Sequence, residues 1–152
     1  MKKSQRLKVI VNLYAENEKK ALEALGKVQT EKQGAQTQLE NLLQYQQEYI
    51  NKHNDNNGKG LNIRQLVEFR AFISKLDKAI DEQKSEISQM EKNIILARKK
   101  WEMHHHKTKG IEKVCDGATK EEMKIEEKRE QNEQDDRATR LGRNNGTGNA
   151  LV

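Results

Sequence analysis

Three consecutive histidines, His104, His105 and His106, follow the single tryptophan in WEMHHH (residues 101–106) and are the side chains of this sequence most suited to holding a metal. Neutral imidazoles ligate zinc and related ions, and metal-binding helices place them at i and i+4. Consecutive helical residues point about 100° apart, so three adjacent rings cannot converge on one ion. Only Glu102 and His106 have the right spacing, and the run reads as a helix surface, with no metal expected. Cys115, the one cysteine, excludes an internal disulfide, fits a reducing compartment and reads as a packing residue rather than a nucleophile. The glycines of GKGLN (residues 58–62) do not form a phosphate-binding loop, and no CxxC or glycine-flanked serine is present. No catalytic residue and no cofactor are expected.

Such side chains need elements to position them, and the composition limits the choice. The chain has 152 residues, 33% hydrophobic and 35% charged, with 4% aromatics and no proline. That is poor material for a globular core and suits long solvated helices or disorder. Periodicity decides for helices. Counting in sevens gives Leu66, Ile73, Ile80, Ile87, Ile94 and Trp101, with Phe69, Leu76, Gln83, Met90 and Ala97 at the companion position. A repeat of 3.5 residues keeps an apolar seam on one side of a helix and demands a partner helix. The earlier part of the chain has the same period in Leu7, Tyr14, Ala21, Val28, Ala35, Leu42 and Tyr49, supported by Ile10, Val11, Ala24, Leu25, Leu39 and Tyr45, with polar layers near Asn17 and Glu31.

Between the two seams lies NKHNDNNGKGLN (residues 51–62), rich in Asn and Gly that tolerate left-handed backbone. The expected fold is all-α: a long antiparallel two-helix coiled-coil hairpin over residues 1–141, with helix 1 at about 4–52, the turn at about 53–61, a longer helix 2 at about 62–137, and a disordered, flexible C-terminal tail at 142–152. Folding the sequence about residues 57 and 58 sets Tyr49 near Leu66, Leu42 near Ile73, Ala35 near Ile80, Val28 near Ile87, Ala21 near Ile94, Tyr14 near Trp101, and Gln83 beside Glu31 and Lys32. At 1.5 Å per residue the arms would be roughly 75 and 110 Å long, so the second overhangs the first. The opening MKKSQRLKVIVNLYA is interrupted by Lys8 and Asn12 and lacks a cleavage pattern, so it reads as helix rather than export signal. No apolar run approaches a membrane span, which predicts a soluble chain.

Two surfaces stand out. In the folded-back register Lys2, Lys3, Arg6 and Lys8 lie beside Arg98, Lys99, Lys100, Lys107, Lys109 and Lys113, making a basic end that would draw an acidic partner or phosphate. Near the turn, Gln38, Leu42, Tyr45 and Tyr49 step by 4, 3 and 4, as do Phe72, Leu76, Ala79 and Gln83, which lays two matching stripes along one side. Exposed Tyr, Phe and Leu at such spacing mark a protein docking face. The acidic and basic residues beyond Lys120 read as a salt-bridged solvated helix.

YQQEY at 45–49, the Asn/Gly turn, FRAFISKLDKAI at 69–80, Trp101 and EKREQNEQDDRATR at 127–140 together resemble the bacterial flagellar export protein FliJ family over nearly the whole chain. The resemblance implies a non-enzymatic antiparallel coiled coil, similar to the central stalk of rotary ATPases and peripheral to the cytoplasmic face of the inner membrane. It implies as partners the export ATPase FliI and its regulator FliH, the export gate FlhA, and unladen export chaperones. The family's gate-binding surface corresponds to Gln38, Leu42, Tyr45, Tyr49, Phe72, Leu76 and Ala79, while Gln83 stands where the family often has histidine. Rival readings are a self-associating structural coiled coil, a stalk protein of a related virulence-type secretion system, and a nucleic-acid binder. The last lacks any base-reading or stacking motif.

Overall fold

The computed structural model describes residues 1–56, 60 and 62–150, with the side chains of Asn56 and 146–150 excepted. Two helices, α1 (Lys3–Asn56) and α2 (Ile63–Ala150), pack against each other as an antiparallel hairpin, with no strand among the described residues. The reversal falls between Asn56 and Ile63, where Gly60 has a φ of 74° that favours glycine. Asn57, Gly58, Lys59 and Leu61, expected at the turn, lie outside the described residues.

The start of α2 is fixed by a reciprocal cap. The Gln65 backbone N–H donates to Asn62 Oδ1 at 2.8 Å, and the Asn62 N–H donates to Gln65 Oε1 at 3.2 Å. Each amide satisfies a donor that the first helical turn would leave unpaired, a capping-box arrangement.

Two compact units divide the chain: Met1–Glu16 with His105–Val152, and Asn17–His104, so α1 and α2 each contribute to both. In the second unit the buried apolar residues are Ala21, Leu25, Ala35, Leu76, Ile80 and Ile87; in the first the buried residues are Thr108 and Ala118. The seam of α1 is a complete heptad. Leu7, Tyr14, Ala21, Val28, Ala35, Leu42 and Tyr49 are accompanied by Ser4, Val11, Glu18, Leu25, Lys32, Leu39, Gln46 and His53, all at least partly buried. Ile10, Ala24 and Tyr45, expected to support the seam, face outward. On α2 the repeat passes Trp101 and continues through Thr108, Ile111, Cys115, Ala118 and Glu122.

From Met123 to Asn145 every side chain is exposed, so α2 there is held by its own backbone bonds and by exposed pairs such as Arg129 with Glu133 at 3.5 Å. Periodicity ends the helix near residue 137, whereas α2 extends to Ala150; residues 151 and 152 lie outside the described set.

The register differs from the one read by folding about residues 57 and 58. Gln83 Nε2 donates to the Ala35 carbonyl at 2.9 Å and to Gln38 Oε1 at 3.3 Å, not to the neighbourhood of Glu31 and Lys32. Gln46 Nε2 donates to Asp77 Oδ1 at 2.6 Å, Lys32 lies 3.5 Å from Glu91, and Tyr49 packs on Phe69 and Phe72 rather than near Leu66. These pairs place the helices about one heptad away from the expected alignment. A slide of one heptad returns seam to seam, so apolar pattern alone does not distinguish the two registers. Each residue by which the pivot moves displaces the pairing by two.

With Cys115 replaced by serine, a cysteine pair at Gln46 and Asp77 should oxidise to an intramolecular disulfide far faster than a pair at Leu42 and Ile73. Mass spectrometry under mild oxidation reads the difference, and preferential linkage of 42 to 73 would restore the alignment about residues 57 and 58.

Candidate partner-binding surfaces

The turn-proximal face belongs to the second unit and is assembled by rings reaching across from both helices. Tyr49 lies 4.5 Å from Phe72 between centroids, and Tyr45 meets Phe72 edge-on at 6.2 Å and 75°. Tyr45 is 51% exposed. Of the predicted stripes, Gln38 is exposed and Leu42, Tyr49, Phe72, Ala79 and Gln83 are partly buried. Leu76 is buried and belongs to the seam, where it supports the face instead of presenting it. Gln38 and Gln83 are joined by their amides, so the two stripes are tied at that position.

Two residues outside the predicted set complete the ring cluster. Phe69 was read as seam and His53 as turn, yet Phe69 stacks on Tyr49 at 5.5 Å and 9°, and on His53 at 3.6 Å and 11°. The signal for His53 was present in the sequence: it extends the series Tyr45, Tyr49 in steps of four and the series Leu39, Gln46 in steps of seven.

The predicted basic residues fall in different units. Lys2, Lys3, Arg6, Lys8, Lys107, Lys109 and Lys113 belong to the first, and Arg98, Lys99 and Lys100 to the second. All are exposed. The first group shares its surface with carboxylates. Lys8 lines a cleft of about 340 Å³ together with Glu112, Cys115 and Asp116, and Lys109 pairs with Glu112 at 3.6 Å. In the second unit Lys100 borders a notch of about 210 Å³ with Lys20, Asn17, His104 and the small side chains of Ala21 and Ala24.

The beginning of α1 is anchored by Glu122, a residue expected on the overhang. Glu122 accepts from Ser4 Oγ at 2.6 Å and from the Ser4 backbone N–H at 3.1 Å, and Cys115 Sγ donates to the Ser4 carbonyl at 3.7 Å. A carboxylate at a helix N-terminus satisfies unpaired N–H groups and meets the positive end of the helix dipole. The Ser4 hydroxyl, then its N–H, and more weakly the Lys2 charge hold the Glu122 carboxyl below the ordinary glutamate range, with burial opposing them. Among the described residues no group of three or more His, Cys, Asp or Glu is placed to hold a metal; the rings of His105 and His106 stand 5.9 Å apart at 57°.

Taken together, these features define a two-helix coiled coil whose distinctive chemistry lies in surfaces. A family model described as Flagellar FliJ protein matches residues 2–147, and the chain belongs to that family. It is 28% identical over 120 residues to the Flagellar FliJ protein of Salmonella typhi, across 79% of this chain and 82% of that one. It is 30% identical over 81 residues to the Flagellar FliJ protein of Escherichia coli strain K12, across 53% and 55%. No solved structure matches the chain significantly. The family identifies a flagellar export component. No helix among the described residues is long and apolar enough to cross a membrane.

A carboxylate whose pKa is depressed on folding stabilises the fold above its unfolded pKa, and that contribution is lost as pH falls through the lowered folded value. Ser4→Ala should therefore raise the Glu122 midpoint toward the ordinary glutamate value, read by carboxyl-carbon NMR titration. It should also flatten the loss of stability on the acid side. An unchanged midpoint would mean that Ser4 does not hold Glu122 in solution.

Proposed function

We propose that this chain is a non-enzymatic, stalk-like coupler of flagellar export, peripheral at the cytoplasmic face of the inner membrane. It docks on the export gate FlhA through the ring face around Tyr45, Tyr49 and Phe72. Through its basic residues it promotes assembly and turnover of the export ATPase FliI with its regulator FliH, and it escorts unladen export chaperones. Membership of the FliJ family supports the setting.

The observation that carries the docking reading is the face itself. Tyr45, Tyr49 and Phe72 meet across the two helices, and Tyr45 leaves about half its surface to solvent. Aromatic side chains held on rigid helices are strong protein anchors because little rotamer freedom remains to be lost on binding. Gln38, Leu42, Ala79 and Gln83 continue the stripes from this centre away from the turn, and buried Leu76 backs it. The basic groups suit an acidic partner surface, since exposed lysines and arginines accelerate encounter even where each contributes little affinity.

Tyr45→Ala combined with Tyr49→Ala should weaken gate binding at least about tenfold, the scale expected on loss of two aromatic anchors. Circular dichroism of the variant should stay helical, because Tyr45 is exposed and Tyr49 only partly buried. Titration against the purified gate, with motility scored in parallel, checks this. Unchanged binding and motility would remove the docking assignment, and concentration-dependent mass in the wild-type chain that vanishes in the variant would instead favour self-association through the same face.

A further inference from the structure

The ring face continues toward the turn beyond the residues so far assigned to docking. Tyr45, Tyr49 and His53 follow one another at intervals of four on α1, and Phe69 and Phe72 stand three apart on α2. Their rings interleave: His53 on Phe69, Phe69 on Tyr49, Tyr49 on Phe72, Phe72 against Tyr45. Two of these contacts are nearly parallel stacks, at 11° and 9°, and both involve Phe69.

We infer that Phe69, backed by His53, is a positioning residue that presets the Tyr49 ring for partner docking; this rests on the docking reading above. A tyrosine alone on a helix surface distributes between its allowed χ1 rotamers. Tyr49 has a phenyl ring parallel to it on one contact and Phe72 tilted at 52° on another, which restricts the ring to one orientation. His53 also stacks on Phe69, at 3.6 Å and 11°, and restrains that ring. Ordering done within the free chain is not charged against binding, so a preset ring binds more tightly than a mobile one with the same contacts. The role belongs to side chains the family's docking positions do not include, and it acts through Tyr49 instead of through direct contact.

The test titrates the full-length chain against the purified export gate with four variants: Phe69→Leu, Phe69→Tyr, Tyr49→Ala, and Phe69→Leu combined with Tyr49→Ala. Leucine retains an apolar side chain at the seam while removing the stack, and the thermal midpoint of each variant checks the fold. Phe69→Leu should weaken binding about tenfold, Phe69→Tyr should restore it, and the ring resonances of Tyr49 in the free chain should move in the first and not the second. The combined variant should bind no more weakly than Tyr49→Ala alone, because a residue acting through Tyr49 has nothing left to position. Wild-type affinity for Phe69→Leu, with Tyr49→Ala impaired, overturns the positioning role and leaves docking standing; additive losses in the combined variant do the same. Wild-type affinity for Tyr49→Ala overturns the docking reading and this inference together.

Discussion

A seam between only two helices buries little, and that constraint governs everything else in the hairpin. Among the described residues no large side chain is fully sequestered, and the buried apolar set is confined to Ala21, Leu25, Ala35, Leu76, Ile80, Ile87 and Ala118. Each buried Leu or Ile contributes about 3 kcal/mol at most, but those contributions scarcely depend on which heptad faces which. The polar seam positions carry the distinction. In the second unit Gln46 with Asp77, Lys32 with Glu91, and Gln83 with the Ala35 carbonyl find partners in one alignment. A slide of one heptad would leave partly buried amides and charges without these partners, while the apolar layers would still match. This is the registry role best attested for polar groups in coiled coils.

The surfaces inherit their form from that alignment. Phe69 and Phe72 reach Tyr49 because α2 is displaced from the simplest fold-back, and the displacement turns a row of tyrosines into an interleaved cluster of rings from both helices. In the first unit Glu122 meets Ser4, where it caps α1, and Glu112 and Asp116 lie beside Lys8. The basic character of that surface is accordingly mixed with carboxylates.

Much of this was legible in the sequence. The isoleucine heptad from Leu66 to Trp101 and the heptad from Leu7 to Tyr49 specify two helices that need each other, and the Asn/Gly stretch specifies a reversal. Of the other half of the α1 seam only Val11, Leu25 and Leu39 were legible, because Ser4, Glu18, Lys32, Gln46 and His53 are polar and such residues at a seam look like interruptions when hydrophobicity is the signal. On α2 the same masking hid Thr108 and Glu122. The register escaped for a different reason: a heptad slide is invisible to a heptad pattern, and specific pairs such as those of Gln83, Gln46 and Lys32 break the tie. Tyr45, Tyr49 and Phe72 were found because their spacing exceeds what a seam needs, whereas His53 was lost among the asparagines that follow it.

A coupler must change the behaviour of the enzyme it couples, so the most direct measurement is the ATP hydrolysis rate of purified export ATPase as this chain is added, with assembly state followed by light scattering. Turnover should rise with chain concentration, and the rise should accompany formation of the ATPase ring. A rate and an assembly state that remain unchanged at saturating chain would contradict it, and would reduce the protein to an adaptor at the export gate.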